Sequence, residues 1–432
     1  MAESDANVCH AISNPRAALA WTTLAFFAGF AGVSAFGPII PKLKQAMDVG
    51  PFLMGILAAS PALTGSLLRI PFGAMVDRMG GKKPIVILLL LAAAGVAGMT
   101  AMFGIVGTPR AAHYPFFLVC GMLCGCGIAV FSVGVPAVSY WYPQRKQGTA
   151  LAVYGGLGNL APGVFALLLP FLVVNLGFTW SYVLWLAALL AMTGLVFARM
   201  RDAPYFQYKE MGLEIDPDAL LLACGEELVP TGKAMDSIRK AGADWRTWVL
   251  TFLYFCTFGG FIALTVWFPT FWTDRFKISM VQAGLLTAAF SLATSILRVF
   301  GGIAADKLGG LLVAQLSFVG VAAGSAVIFA GEGSAAAAFI GQMLLALGMG
   351  VANAAVFKLV PRFTPKAVGG AAGIIGGLGA FGGFVLPPVL GLFVRLNGEA
   401  GYSQGFVVFL GLSLAGLALL MILKKYAETR LP

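Results

Sequence analysis

Charge is scarce in this sequence. Only 11% of its 432 residues are Asp, Glu, Lys or Arg, against roughly 25% in a soluble domain. So few charges cannot solvate a folded surface in water. A soluble nucleic-acid-binding protein is therefore excluded, although the net charge is +10. Histidine is nearly absent: His10 and His113 are the two in the chain, and both fall outside apolar stretches. The six cysteines form no spaced framework, and no Cys-x-x-Cys pair stands near a His, so no zinc site or disulfide scaffold is indicated. Cys120, Cys124 and Cys126 share one apolar stretch, as soft packing residues or as a metal cluster. The alternating short strands of an outer-membrane barrel are missing. No clustered nucleophile, base and metal set appears, so no enzyme and no cofactor are expected. No Ala-x-Ala cleavage site follows the first apolar stretch, which argues against a removable signal peptide.

What is present is apolar. Hydrophobic residues make up 59% of the chain and glycine supplies 56 residues. The mean hydropathy is +0.90. Lipid is the expected solvent, and glycine suits helices that approach closely within it. A membrane helix needs about 20 apolar residues. Twelve stretches qualify, near 17–40, 52–76, 84–106, 114–139, 148–174, 178–198, 246–271, 280–304, 311–331, 335–359, 367–394 and 404–423. The predicted fold class is an all-α polytopic membrane protein with twelve transmembrane helices.

Basic residues orient these spans, because Lys and Arg are retained on the cytoplasmic side. With the N-terminus inside, twenty of the 28 basic residues are cytoplasmic, six are outside, and Arg69 and Arg298 lie within spans. Both termini are thus expected in the cytoplasm of a cell with this chain in its inner membrane. The segment 199–245 carries half of the 18 acidic residues and divides the spans six and six. It reads as a cytoplasmic linker between an N-terminal bundle, 1–198, and a C-terminal bundle, 246–432. Asp216-Pro-Asp-Ala-Leu-Leu is a candidate start for a short surface helix, and the linker reads as a solvated tether or a regulatory segment.

The two halves repeat each other. Arg69-Ile-Pro-Phe-Gly73-Ala-Met-Val-Asp77-Arg78-Met-Gly80-Gly81 closes the second span, and Arg298-Val-Phe-Gly-Gly302-Ile-Ala-Ala-Asp306-Lys-Leu-Gly309-Gly310 closes the eighth. Arg, Gly, Asp, a second basic residue and the glycine pair recur at identical spacing. Gly155-Gly-Leu-Gly158 in span five likewise matches Gly376-Gly-Leu-Gly379 in span eleven. Parallel six-span repeats place a substrate site at the membrane midplane between halves. The stretch Gly73-x-x-x-Asp77-Arg78-x-Gly80-Gly81-Lys82-Lys83 resembles the loop motif of the major facilitators. That resemblance implies two pseudo-symmetric six-helix bundles, with Asp77, Arg78, Arg145 and Asp306 as gating residues. Asp77 has Arg145 or the N-terminus of span eleven as candidate hydrogen-bond donors.

The intramembrane arginines point to the cargo. Arg69 and Arg298 each lie eight residues before an aspartate, about 12 Å into the span at about 1.5 Å per residue. A centred arginine costs about 2.5–3.5 kcal/mol, and no span holds an Asp or Glu to offset it. Water, backbone carbonyls or a bound anion must take that role. Snorkelling toward the cytoplasm is the competing explanation. A guanidinium is permanently charged and presents paired donors that match two oxygens of an oxyanion. Asn159 is on a face with Gly155 and Gly163, where its amide suits an oxyanion or a neighbouring helix equally.

Ala152-Val-Tyr-Gly-Gly-Leu-Gly-Asn-Leu-Ala and Ala371-Ala-Gly-Ile-Ile-Gly-Gly-Leu-Gly-Ala-Phe-Gly-Gly resemble the paired signatures of the nitrate/nitrite porter family. The aromatic-Pro-basic end of span four and Tyr254 with Phe258 in span seven agree with it. The resemblance implies that Arg69 and Arg298 bind the anion between the rings of Phe131, Tyr254 and Phe258, with Asn159, Gly158 and Gly379 at the site. Ala380 stands where the first signature has Asn159, and Pro162 departs from the family pattern. The expected activity is secondary transport of nitrate and nitrite by a monomer, through exchange. Proton-coupled nitrate uptake and carriage of small organic carboxylates are the alternatives. A drug or sugar porter is disfavoured by the paired arginines, and a non-transporting sensor lacks an obvious output domain.

Overall fold

The computed structural model describes residues 14–212, 234–365 and 367–430, with the side chains of Gln144, Arg145, Ala234 and Arg430 outside that description. Among the described residues there is no β-strand, and eleven helical stretches are long and apolar enough to cross a bilayer. One of them, Lys146–Arg199, has 54 residues. That is about 80 Å of helix for an apolar core of about 30 Å. It turns back at Gly177, whose φ of 76° only glycine adopts freely. Divided there, it supplies spans five and six, and the total is twelve. The others are Pro15–Met47, Pro51–Met79, Lys82–Val106, Ala111–Ser139, Trp245–Arg275, Met280–Leu308, Gly310–Ala330, Ala335–Phe363, Val368–Gln404 and Val407–Thr429. An even number of crossings puts both chain ends on one face, here called the terminal face; the opposite one is the far face.

The repeated motif has a structural meaning in each half. Gly80 (φ 76°) and Gly309 (φ 89°) turn the chain out of spans two and eight. The next glycine lets the following span begin against its neighbour. A Cβ on Gly81 would stand 2.4 Å from the Ala137 methyl, and one on Gly310 would stand 2.9 Å from Leu359 and 3.3 Å from the Ala355 carbonyl. The aspartates are also used in parallel. Asp77 accepts a hydrogen bond from the Tyr140 hydroxyl at 2.7 Å. Asp306 pairs with Lys358. Each partner sits on the span two further along in its own half.

The halves meet closely toward the far face. Span two lies along span eleven, with Gly55 facing the Pro387 carbonyl (2.8 Å from a built Cβ) and Gly391 facing that of Pro51 (2.6 Å). Span five crosses span eight in the same way, Gly163 against Leu292 at 2.8 Å and Gly284 against the Ala166 carbonyl at 2.5 Å. Lys44 of span one and Asp274 of span seven form an ion pair at 2.6 Å, and the Tyr402 hydroxyl donates to the same carboxylate at 2.7 Å. At the terminal face the picture changes. Gly148, Gly369 and Gly373 have nothing within 4 Å of a built Cβ. Gly163 and Gly377 thus lie at close helix crossings, whereas Gly369 and Gly373 face open space.

Both ends of the linker are docked. Asp202 accepts from the amides of Gly81 (2.6 Å) and Lys82 (2.9 Å). Burial pushes its carboxyl up from the usual range although those two donors pull it down. At the other end, the helix Ala234–Gly242 packs on span eleven, and the Gly370 amide donates to the Ser237 hydroxyl at 3.0 Å. The candidate helix starting at Asp216 lies outside the described residues. The N-terminus of span eleven is thus capped by Ser237, while Asp77 is held inside its own half by Tyr140.

Candidate anion site between the halves

Arg69 lies in span two, where the helix loosens at Leu68, three residues before Pro71, without leaving α-helical dihedrals. The whole residue is 1% exposed. One Nη1–H donates to the Gly376 carbonyl of span eleven, in the other half, at 2.8 Å. Snorkelling does not occur: the group crosses to the opposite half. Its Nε and Nη2 have no partner among the described residues. An orphaned charged donor in a dry place is costly unless something accepts from it.

Arg298 lies mid-helix in the unbroken span eight, Met280–Leu308, and is half-buried. Its Nη1 donates to the Tyr254 hydroxyl at a long 3.4 Å. Neither arginine has an ion-pair partner among the described residues. Both instead sit over the same two rings. The Arg69 guanidinium carbon is 5.0 Å from the Phe131 centroid and 5.1 Å from that of Phe258. For Arg298 the values are 5.8 Å and 5.6 Å. A desolvated cation–π contact contributes about 2 kcal/mol, which offsets much of the cost of an intramembrane arginine.

The rings form a pair of walls. Phe131 and Phe258 have centroids 6.2 Å apart and planes 29° from parallel. Tyr254 stacks on Phe258 at 4.9 Å and 9°. A π-helical turn, Phe255–Gly259, lies between Tyr254 and the next regular segment and carries Phe258. Such bulges re-aim side chains at functional positions. Phe131 stands just after a 3-10 turn, Gly127–Ala129, in span four.

Gly158 and Gly379 make room for rings. A Cβ on Gly158 would be 1.9 Å from Phe26, and one on Gly379 would be 2.7 Å from Tyr254. This equivalence exposes residues that sequence reasoning missed. Phe26 and Phe30 of span one are four apart, as are Tyr254 and Phe258 of span seven. Phe30 stacks on Phe258 at 6.2 Å and 7°, and Phe26 touches Phe131 at 5.2 Å. The common spacing of four was visible and would have found them. Tyr154, also missed, lies behind Phe131. Asn159 is 2% exposed; its backbone carbonyl accepts from Ser295, and its side-chain Oδ1 has no partner among the described residues. Ser66, one turn before Arg69, has a buried hydroxyl without a partner there too. Of the gating candidates, Asp77 and Asp306 are placed as described above. The Arg78 carbonyl accepts from Lys209 at 3.3 Å, and Arg145 cannot be located by its side chain.

Among the described residues no group of three His, Cys, Asp or Glu side chains is placed to hold a metal ion. Cys124 packs its sulfur 3.9 Å from that of Met99. Chemically, the central site offers two positive forks, flat apolar walls and a few neutral polar atoms.

Comparisons with known proteins agree with this architecture. The model of the Major Facilitator Superfamily matches residues 22–282 and 250–432. A probable nitrate transporter, NarT, of Staphylococcus epidermidis is 28% identical over 419 residues, covering 95% of this chain and 97% of its own. The nitrite extrusion protein of Bacillus subtilis is 27% identical over 408 residues, covering 93% of each chain. Among solved structures, the xylose transporter XylE of E. coli superposes with a TM-score of 0.70 at 15% identity, covering 97% of this chain and 100% of that one. The human organic anion transporter MFSD10 does so with 0.66 at 17%, covering 94% and 99%. At those identities the structures establish the fold alone. The family match spans both halves, and so the chain belongs to the Major Facilitator Superfamily and resembles its nitrate/nitrite porters along nearly the whole length.

Proposed function

We propose that this protein is a secondary transporter that exchanges nitrate for nitrite by alternating access. The observation that carries the reading is the placement of two guanidinium groups over one pair of rings, with no carboxylate among the described residues paired to either. Nitrate and nitrite are flat, so their faces suit Phe131 and Phe258 while their oxygens accept from Arg69 and Arg298. Two ring contacts at about 3.5 Å each need walls about 7 Å apart. The 6.2 Å separation opens to that width with a shift of under an ångström. Tyr254 orients Arg298, Asn159 adds a polar contact, and Gly158 and Gly379 keep the cage compact. The names of the relatives, a nitrate transporter and a nitrite extrusion protein, support the same class of cargo.

The terminal face is the cytoplasmic one in this reading, with both termini inside the inner membrane's cytoplasmic side and the monomer as the working unit. The 1–198 and 246–432 bundles rock as two bodies, and 199–245 tethers them. The glycine-packed crossings of spans two and eleven and of spans five and eight toward the far face fit an inward-facing form. Asp77, Arg78, Arg145 and Asp306 serve the cytoplasmic gate. An empty site leaves two cations facing each other, which resists closure; a bound anion relieves that repulsion. Empty carriers therefore return poorly, and exchange results.

Flux in proteoliposomes tests this. Labelled nitrate is supplied outside, with nitrite or nothing inside, and with or without a pH gradient. Uptake that requires internal nitrite supports exchange. Uptake into empty vesicles driven by the pH gradient overturns exchange in favour of proton symport. Transport blocked by small carboxylates but indifferent to nitrate overturns the cargo.

A further inference from the structure

Phe131 is one wall of the central slot, and its position is set from behind. Tyr154 of span five is 1% exposed. Its ring stacks on Phe131 with centroids 6.1 Å apart and planes 15° from parallel, and it packs on Phe26 at 5.1 Å. Its hydroxyl lies within donating reach of two carbonyls, those of Val130 at 2.9 Å and Phe131 at 3.1 Å. The backbone of Phe131 is thus held directly. The place needs holding: a 3-10 turn ends one residue before Val130, and Pro136, which lacks an N–H, lies downstream. Gly134 completes the arrangement. A Cβ there would stand 2.1 Å from the Tyr154 oxygen, so only glycine lets the hydroxyl reach the carbonyls.

The other half has no such device. Counting from the glycines of the two signatures, Tyr154 corresponds to Ile375, which has no donor. The hydroxyl is therefore not a requirement of the helical repeat. It belongs to the half that supplies the Phe131 wall.

We infer that Tyr154 is a positioning residue that sets the width of the slot between Phe131 and Phe258, and through it the preference for flat over pyramidal oxyanions. This rests on the nitrate reading above. A wall pinned at its backbone and backed by a stacked ring gives little. A flat anion fits with a small adjustment, whereas a pyramidal one, thicker across its faces, needs the wall to move further. Releasing the pin lowers that difference.

The test uses the full-length transporter in proteoliposomes, with nitrate and chlorate as the flat and pyramidal probes. Tyr154→Phe keeps the ring and removes the hydroxyl. The expected result is a KM for nitrate raised about three- to tenfold, from the loss of one or two buried hydrogen bonds. The KM for chlorate stays level or falls, so that the nitrate-to-chlorate preference narrows with kcat nearly unchanged. Gly134→Ala, which displaces the hydroxyl without deleting it, is expected to narrow the preference in the same way. On a Phe131→Leu background Tyr154→Phe should add nothing, because the two act through one wall. Equal shifts for both anions, or lowered thermal stability with an unchanged preference, overturn the positioning role and leave a packing residue. Wild-type protein that carries neither nitrate nor nitrite overturns the nitrate reading itself, and the slot with it.

Discussion

Arg69 and Arg298 occupy the same place in the two halves, eight residues before an aspartate, yet their surroundings differ. Arg69 is 1% exposed and donates across to Gly376 in the other half at 2.8 Å. Arg298 sits in an unbroken helix, is half-buried, and has a single long bond at 3.4 Å to Tyr254 of its own half. The Arg298 counterpart of the Arg69 contact would go to the Gly155 carbonyl, and Gly155 instead faces Phe131 at 3.9 Å from a built Cβ. The sequence repeat thus builds two equal charges, and the tertiary structure makes one a strut between halves and leaves the other more loosely tied within its own half. A carrier that must release its cargo needs such a division, since two fully locked cations would hold the anion in place.

That contrast can be broken by substitution. Arg69→Lys retains charge but loses the fork and the link to Gly376. Truncating a buried charged partner costs about 2–5 kcal/mol, so nitrate binding should weaken roughly 100-fold or more. Arg298→Lys should abolish net transport too but weaken equilibrium binding less, because its one bond in the empty site is longer, 3.4 Å against 2.8 Å. Titration calorimetry on the two purified variants ranks them, and equal losses would show that the asymmetry has no functional weight. Retained affinity in Arg298→Lys would remove this residue from the site.

Tyr254→Phe sharpens the comparison next. It takes away the one bond that Arg298 makes within its half and leaves the stack on Phe258. A hydrogen bond to a charged group contributes about 1.5–3 kcal/mol, less when long. We expect about a tenfold rise in nitrate KM and no change in thermal stability. A loss of stability with KM intact would assign Tyr254 to packing instead.

The faces differ as the arginines do. The Lys44–Asp274 pair joins the halves at the far face, partly exposed at 32% and 21%. A pair of this kind contributes about 1 kcal/mol or less, so Asp274→Asn should raise reagent access to a cysteine placed beside the pair only a few-fold. No change in labelling would mean that glycine packing alone closes that face. The smallest effect is expected at Asp202. Burial raises its pKa, so the folded protein binds this proton more tightly than the unfolded chain. Stability from this group is present at low pH and is lost as pH rises through the raised value, above the ordinary Asp value of about 3.9. Thermal unfolding between acidic and neutral pH should show a shallow decline that Asp202→Asn removes. A decline that persists in the variant would have another source.

The fold was legible because its causes are one-dimensional. Apolar runs of spanning length, the glycine turns at Gly80 and Gly309, and the duplicated Arg-Gly-Asp spacing all lie along the chain. The candidate site was legible in part. Arg69, Arg298, Phe131, Tyr254 and Phe258 do converge. Phe26 and Phe30 went unread among 34 phenylalanines, since nothing in composition separates a wall from core. Tyr154 went unread because its importance lies in Gly134, twenty residues earlier, which leaves space for its hydroxyl. The gate was read in part: Asp77 was matched to Arg145 or span eleven, and the structure adds Tyr140 as a donor to it, while the Arg145 side chain lies outside the described residues.

By itself the sequence determined that the chain lives in lipid, that it folds as two related halves, and that two positive charges must find compensation inside. Those follow from hydropathy, repetition and the absence of acid, which need no coordinates. Only the tertiary structure decided which half anchors its arginine, which rings face each other at 6.2 Å, and where the halves pack glycine against backbone. The reason is that these depend on how helices break and cross. A 3-10 turn at Gly127 or a π-turn at Phe255–Gly259 re-aims a side chain by an amount that no periodicity encodes.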